Sequence, residues 1–397
     1  MIYMITISLD TSSSIPLYEQ LYSHIKQEIR SGNLYFNEKL PSTRKLAEHL
    51  QISRNTVDLA YNQLQSEGYI ESRPKSGYYV CKIKNLISYP VPESSKPIVK
   101  KEKIHYDYNF SPFSIDLEHF PFDTWRKLSR ECVNNTNKYL FQSGDRQGDL
   151  SFREAIRKYL HASRNVNCTS DQIIVGAGAD YLLQLLAQII PNQSTIAMEN
   201  PTYKQAYMIF QGLGHHVSPI SLDDSGIKVD ELEATNSTIC YVTPAHQYPL
   251  GIIMPIKRRQ ELLQWAGKDS NRYLIEDDHD SEFRYKGKPI PSLQGMDTNN
   301  KVIYLGTFSR AIAPAIRIGY MVLPRPLLEI YQEHFSYYAS TVSRLDQSLL
   351  TFFINDGYFE RHLNRMRKVY KNKHDTVLHA LKCFGKHIEI YNEHAGL

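Results

Sequence analysis

The chain has no apolar run approaching the roughly 18 residues that a membrane-crossing helix needs. Its first residues also lack the charge-then-apolar order of a secretory signal. Cysteine is scarce: Cys81, Cys132, Cys168, Cys240 and Cys383 are odd in number, unevenly spaced and without a C-x-x-C pair. That pattern argues against a disulfide framework and a zinc site, so no metal is expected, and it fits a reducing cytoplasm. Each cysteine is expected to be a small buried hydrophobe. A large excess of one sign of charge is lacking as well, since 46 basic residues stand against 42 acidic ones. The excess of four is unevenly placed, however. Residues 1–105 hold 14 Lys and Arg against 10 Asp and Glu, which accounts for all of it. A phosphate-binding module would carry its positive charge in this way. The remaining composition, 42% hydrophobic and 22% charged over 397 residues, is that of a globular protein of two or three domains.

Leu17, Leu21, Ile25 and Ile29 recur every fourth residue, the stripe of an amphipathic helix ending at Gly32. Pro41-Ser42 then supplies a stop and an N-cap for a short helix with Leu46, Ala47 and Leu50 inward. Ser53 caps a third helix whose inner face is Val57, Ala60, Tyr61 and Leu64, closed by Gly68. Tyr69-Ile70-Glu71 and Tyr78-Tyr79-Val80 follow as two strands around a basic turn, Arg73-Pro74-Lys75-Ser76-Gly77. Three helices and a basic hairpin are the order of a winged helix-turn-helix, in which the first turn of the third helix enters the major groove of DNA. Here that turn is Ser53-Arg54-Asn55-Thr56, rich in groups that reach base edges and phosphates. Arg44, Lys75 and Gly77 would flank the groove. The runs Pro16-Leu17-Tyr18, Leu40 to Arg44, Ser53 to Val57 and Leu64 to Tyr69 resemble the GntR family of bacterial repressors. That resemblance implies operator contacts at Arg44, Arg54, Thr56 and Gly77.

From about residue 82 to 105 the chain turns to Pro, Ser, Lys and Glu without an apolar period, a locally stiffened linker. The expected division is therefore a DNA-binding domain over 1–81, a linker over 82–105 and a second domain over 106–397. In this second domain, Ile173–Val175, Ser194–Met198, Ile239–Val242, Tyr273–Ile275, Val302–Leu305 and Gly319–Leu323 alternate with helical patterns. This predicts an α/β fold with a mostly parallel sheet covered on both faces. Polar and special residues collect at the strand ends, where such sheets bind ligands. Gly176-Ala177-Gly178 opens a helix, whose free N–H groups suit a phosphate, and Thr307 and Arg317 add a hydroxyl and a guanidinium. Asp277 suits a protonated ring nitrogen and Tyr203 a flat ring. Together these describe pyridoxal 5′-phosphate.

Asn200-Pro201-x-Tyr203, Tyr241 to Gln247, Ile275 to Tyr285, Gly306 to Pro324 and Gly357 to Arg367 resemble MocR/GabR-type regulators. In these a GntR module is fused to a fold-type-I, aminotransferase-like domain that senses pyridoxal phosphate. The resemblance implies a cofactor site at Gly178, Ala179, Tyr203, Asp277, His279, Thr307, Ser309 and Arg317. It also implies a large domain to about residue 340 with a small domain after it. Three departures stand out. Arg310 occupies the position of the family's cofactor-linking lysine, and a guanidinium protonated to above pH ~12 cannot supply an attacking amine. His279 stands where the family commonly has Tyr, and Ala179 replaces a phosphate-holding hydroxyl. The family also continues past Glu393-His394-Ala395-Gly396-Leu397, so the small domain is expected to be incomplete, ending on its first strand. The leading expectation is a cytoplasmic, homodimeric transcriptional regulator that binds operator DNA, senses a small molecule and holds pyridoxal phosphate non-covalently if at all. The rival is an active pyridoxal-phosphate-dependent aminotransferase that carries a DNA-binding arm.

Overall fold

The computed structural model describes residues 5–82, 107, 115–285, 290–393 and 396. The chain forms two compact units, Met1–Tyr106 and Asp107–Leu397. Residues 83–105 of the expected linker lie outside the described residues, as do His394, Ala395 and Leu397.

The first unit contains helices α1 (Leu17–Arg30), α2 (Thr43–Leu50) and α3 (Arg54–Ser66) and the hairpin β1 (Ile70–Arg73) and β2 (Gly77–Val80). Both expected N-caps form. The Ser42 hydroxyl accepts from the Lys45 N–H, and that of Ser53 accepts from Thr56 N–H at 3.1 Å. At the end of α3, Tyr69 N–H donates to Leu64 C=O and Gly68 N–H to Gln65 C=O. This closure needs a left-handed residue, and Gly68 supplies φ +76° without a Cβ penalty. Leu21, Ile25, Leu46, Val57, Ala60, Tyr61 and Leu64 are fully buried in one core with Ile70 and Val80. The hairpin runs further than its sequence suggests, because Arg73 and Gly77 still pair across the strands.

The second unit begins with α4 (Phe122–Cys132) and α5 (Leu150–Arg164), then alternates through β3 (Ile173–Gly176), α6 (Ala179–Ile189), β4 (Thr195–Asn200) and α7 (Lys204–Gly212). It continues with β5 (His216–Asp223), β6 (Gly226–Ile227), α8 (Val229–Glu233), β7 (Ile239–Val242), α9 (Ile256–Gly267) and β8 (Tyr273–Asp278). β9 (Val302–Thr307), β10 (Gly319–Val322), α10 (Arg325–His334), α11 (Arg344–Asn355) and α12 (Tyr358–Lys382) complete it. The sheet order is β3-β10-β9-β8-β7-β4-β5-β6. From β9 to β5 the neighbours are parallel, whereas β10 is antiparallel to both β3 and β9.

The strands are buried on both faces. Val302 and Tyr304 point one way and Ile303 and Leu305 the other, into separate apolar layers. This explains their unbroken hydrophobic runs. β5 escaped the sequence reading because its mixed pattern and Pro219 suit a strand near the sheet's edge, where it pairs with β6 only at one end. The helical cover is also larger than expected. Leu349, Leu350 and Phe353 of α11 and Phe359, Leu363 and Met366 of α12 share a core with Val175, Tyr304 and Tyr320. The sheet's helical cover therefore extends well past residue 340. The expected terminal strand, at the segment ending Glu393-His394-Ala395-Gly396-Leu397, falls largely outside the described residues; among the described residues after α12 there is a short 3-10 turn at Gly385–His387. All five cysteines are free; Cys132 and Cys240 are buried as expected, whereas Cys81 and Cys168 are only half-buried and Cys383 is exposed.

Candidate functional site

On the first unit, the two arginines that the sequence singles out stand at helix starts and point into solvent. Arg44 is 82% exposed and Arg54 68%. Each leans on an acid one turn along its own helix, Glu48 at 3.1 Å and Asp58 at 3.5 Å. Such surface pairs hold by only about 0.3–0.5 kcal/mol, so a DNA phosphate can take over either guanidinium. Asn55 and Lys75 are exposed, and Gly77 is half-buried at the hairpin's end. The Ser53 and Thr56 hydroxyls meet at 2.8 Å, so both sit on the cap of α3. Fully buried Tyr61 organises this face: its hydroxyl donates to Pro41 C=O at 3.0 Å, ahead of α2. Its ring meets Tyr78 of the wing edge-on at 4.9 Å. One side chain thus ties the reading helix to the start of α2 and to the wing.

On the second unit, Gly178, Ala179, Tyr203, Asp277, His279, Thr307, Ser309 and Arg317 line one cleft of about 170 Å³, together with Arg310. The cleft opens at the carboxyl ends of the parallel strands. Gly178 is the N-cap of α6 with φ +87° and no capping side chain, leaving the first-turn N–H groups of the helix available. A Cβ on Gly178 would stand 3.4 Å from the Arg317 guanidinium, an ordinary contact, so it is the positive φ rather than lack of space that calls for glycine at this helix start. Arg317 also pairs with Asp180 at 3.1 Å. Asp277 is buried at the end of β8, and Tyr241 donates its hydroxyl to it from β7. Burial raises the Asp277 carboxyl above the usual range, against the pull of nearby His279 and the Tyr241 bond. Tyr203 and His279 each meet Tyr248 edge-on, at 6.2 and 6.0 Å.

Behind the cleft, Glu199 is fully buried and pushed up to about 7, chiefly by that burial. It accepts from Thr243 Oγ1 at 2.7 Å. Beside the cleft, Asp280 accepts from His246 Nδ1 at 2.9 Å and lies 3.4 Å from His279 Nε2. Burial opposes its charge, but the fields of His279, His246 and Arg310 hold its carboxyl at about 2.

The sequence reading missed Asp180, Tyr248 and the grouping of His246 with His279 and Asp280. Asp180 could have been found as the acid beside the phosphate-suited turn, and Tyr248 as the aromatic directly after His246-Gln247. The histidine grouping had no sequence signal, because its members come from loops after different strands.

A family model for "Bacterial regulatory proteins, gntR family" matches residues 17–80, and one for "Aminotransferase class I and II" matches residues 113–397. The "Uncharacterized HTH-type transcriptional regulator YdeL" of Bacillus subtilis is 42% identical over 99% of this chain and 85% of its own length. The "Probable rhizopine catabolism regulatory protein MocR" of Rhizobium meliloti is 33% identical over 92% of this chain and 77% of its own. Among solved structures, a Pyrococcus horikoshii kynurenine aminotransferase in complex with PMP is 28% identical, with a TM-score of 0.59 over 67% of this chain and 68% of that one. A helix-turn-helix of one family joined to an aminotransferase fold, in one order and matched along nearly the whole of this chain by relatives named as regulators, places it among the MocR/GabR-type members of the GntR family, DNA-binding transcriptional regulators with an aminotransferase-like domain.

Proposed function

We propose that the cleft of the second unit holds pyridoxal 5′-phosphate non-covalently as the effector of a homodimeric cytoplasmic regulator, and that the chain performs no transamination. The observation that carries this reading is the convergence on one cleft of all eight residues expected at a cofactor site, with Arg310 beside them. The donor set fits the group. The uncapped start of α6, Thr307 and Arg317 suit its phosphate. Buried Asp277 suits its ring nitrogen, and Tyr203 and Tyr248 bound the space for a flat ring. When bound, the group supplies a doubly charged phosphate and a pyridine nitrogen able to carry a proton.

The residues of the chain then have separable roles. Tyr241 orients the Asp277 carboxylate by donating to it, which leaves its remaining acceptor capacity for a ring N–H. Because burial resists ionisation of Asp277, a cationic partner is what stabilises its charged form, and the proton is held on the ring. Arg310 can contribute positive charge to the cleft but no unprotonated amine. No lysine is among the described residues that line the cleft, which supports a site without covalent attachment or a lysine's proton shuttling. Two-fold symmetry in the protein would match a paired operator.

Spectroscopic titration of the full chain with pyridoxal phosphate, run beside DNA mobility shifts with and without it, tests the proposal. The expected result is saturable binding that washes out on dialysis, leaves no band sensitive to borohydride and alters operator affinity. A visible band that survives dialysis and disappears on reduction would overturn it in favour of the aminotransferase.

A further inference from the structure

The loops after β7 and β8 bring two imidazoles and a carboxylate together at the shoulder of the cleft. We propose that His246 Nδ1, His279 Nε2 and a carboxylate oxygen of Asp280 bind one divalent transition-metal ion of the zinc, nickel or copper class. These three ligand atoms lie within 4.8 Å of one another. Two of the separations, from Asp280 Oδ1 to His246 Nδ1 at 3.2 Å and to His279 Nε2 at 3.4 Å, already match a metal's requirements. Tetrahedral ligands about 2.0–2.1 Å from zinc stand roughly 3.3 Å apart. The two rings are stacked, with centroids 6.2 Å apart, so a modest ring rotation closes the third separation.

The site is built rather than incidental. Asp280 is 6% exposed and each imidazole 17%. His246 sits on a loop held by its own backbone: Gln247 N–H donates to Ile252 C=O, Gly251 N–H to Gln247 C=O and Met254 N–H to Pro244 C=O. Gln247 also reaches Pro201 C=O at 2.9 Å, which fixes the loop to the next strand end. His246 and Asp280 border a small cavity of about 10 Å³, close to the least space that holds a water. Three protein ligands with room for a water form an open site rather than a closed structural one.

The donor set and its surroundings select the ion. Two nitrogens and one oxygen suit zinc, nickel or copper. Magnesium or calcium, which need oxygen ligands, would meet a single carboxylate among the described residues of this group, in the field of Arg310. Binding exchanges the hydrogen bonds to Asp280 for metal bonds. Each neutral imidazole then keeps its proton on the nitrogen that does not ligate. His279 also lines the cleft, so an ion here would immobilise one wall of it. The inference does not rest on any ligand occupying that cleft.

The test uses the full chain, freed of metal and of pyridine ligands, titrated with Co²⁺ as a spectroscopic probe and then with Zn²⁺ in competition. The expected result is a four-coordinate Co²⁺ visible spectrum saturating at one ion per chain and lost on adding Zn²⁺. His246→Gln and His279→Phe, checked for native circular dichroism, should each weaken binding at least ~10-fold, since even losing a supporting partner of a metal ligand costs that much. Zn²⁺ should raise the melting temperature of the wild-type chain, a readout independent of either variant. Absence of a saturable Co²⁺ spectrum in wild type, or undiminished binding in both folded variants, would overturn the proposal.

Discussion

Arg310 separates the two chemistries available to the cleft, because a lysine there could deprotonate and attack an aldehyde whereas a guanidinium stays charged. Arg310→Lys is therefore expected to create, with pyridoxal phosphate, a visible band that resists dialysis and disappears with borohydride. Failure of the variant to form it while wild type binds the ligand would remove Arg310 as what bars covalent attachment. Arg54 makes the corresponding distinction on the first unit. Its contact with Asp58 is long and solvent-exposed, so Arg54→Ala should leave folding almost untouched. If Arg54 meets a phosphate, the salt slope of DNA binding falls by about one unit and affinity drops alike on all sequences; if it reads a base, discrimination relaxes at one position by about 1–3 kcal/mol. A mobility-shift series across salt concentrations and operator variants reads both.

At the level of elements, α3 depends on its cap. Ser53→Ala removes the acceptor for Thr56 N–H and should cost about 1 kcal/mol, seen in denaturant unfolding of the first unit. Its partner at the other end is an ion-pair cluster joining α1 to the end of α3. Lys26, Tyr22 and Gln63 all donate to Glu67, with Lys26 Nζ at 2.7 Å, and hold its carboxyl at about 2 against an ordinary 4.5. A depressed carboxyl contributes stability above its unfolded value and loses it as pH falls through the folded one. The first unit should thus lose stability between about pH 4.5 and 2. Lys26→Met should flatten that loss by about 0.2–1 kcal/mol, the range of an exposed pair. An identical acid profile in the variant would show that the pair contributes nothing. These elements were legible in sequence because caps, i,i+4 stripes and left-handed glycines act over a few residues. β5, with its Pro219, and the direction of β10 were not, since a run of Gly-Tyr-Met-Val does not say which way it will be laid.

For the whole molecule, two units with separate cores predict two unfolding transitions. Pyridoxal phosphate bound only in the second unit stabilises it by RT ln(1 + [L]/Kd), about 2.7 kcal/mol at a hundredfold excess over Kd. Calorimetry should then show one transition rising and the other fixed; movement of both would place ligand energy in the first unit too. Local order was enough to establish the reading helix, its caps and the alternation of strand and helix, all of which depend on spacing along the chain, while the full set of cleft residues was implied by the family resemblance. The meeting of the DNA-reading helix with the wing through Tyr61 was settled by packing. So were the extension of the sheet's cover through α11 and α12, and the approach of His246 to His279 and Asp280. Each joins residues whose neighbours are set by the order of elements in space, and that order is chosen by burial of the core as a whole, which no short stretch of sequence contains.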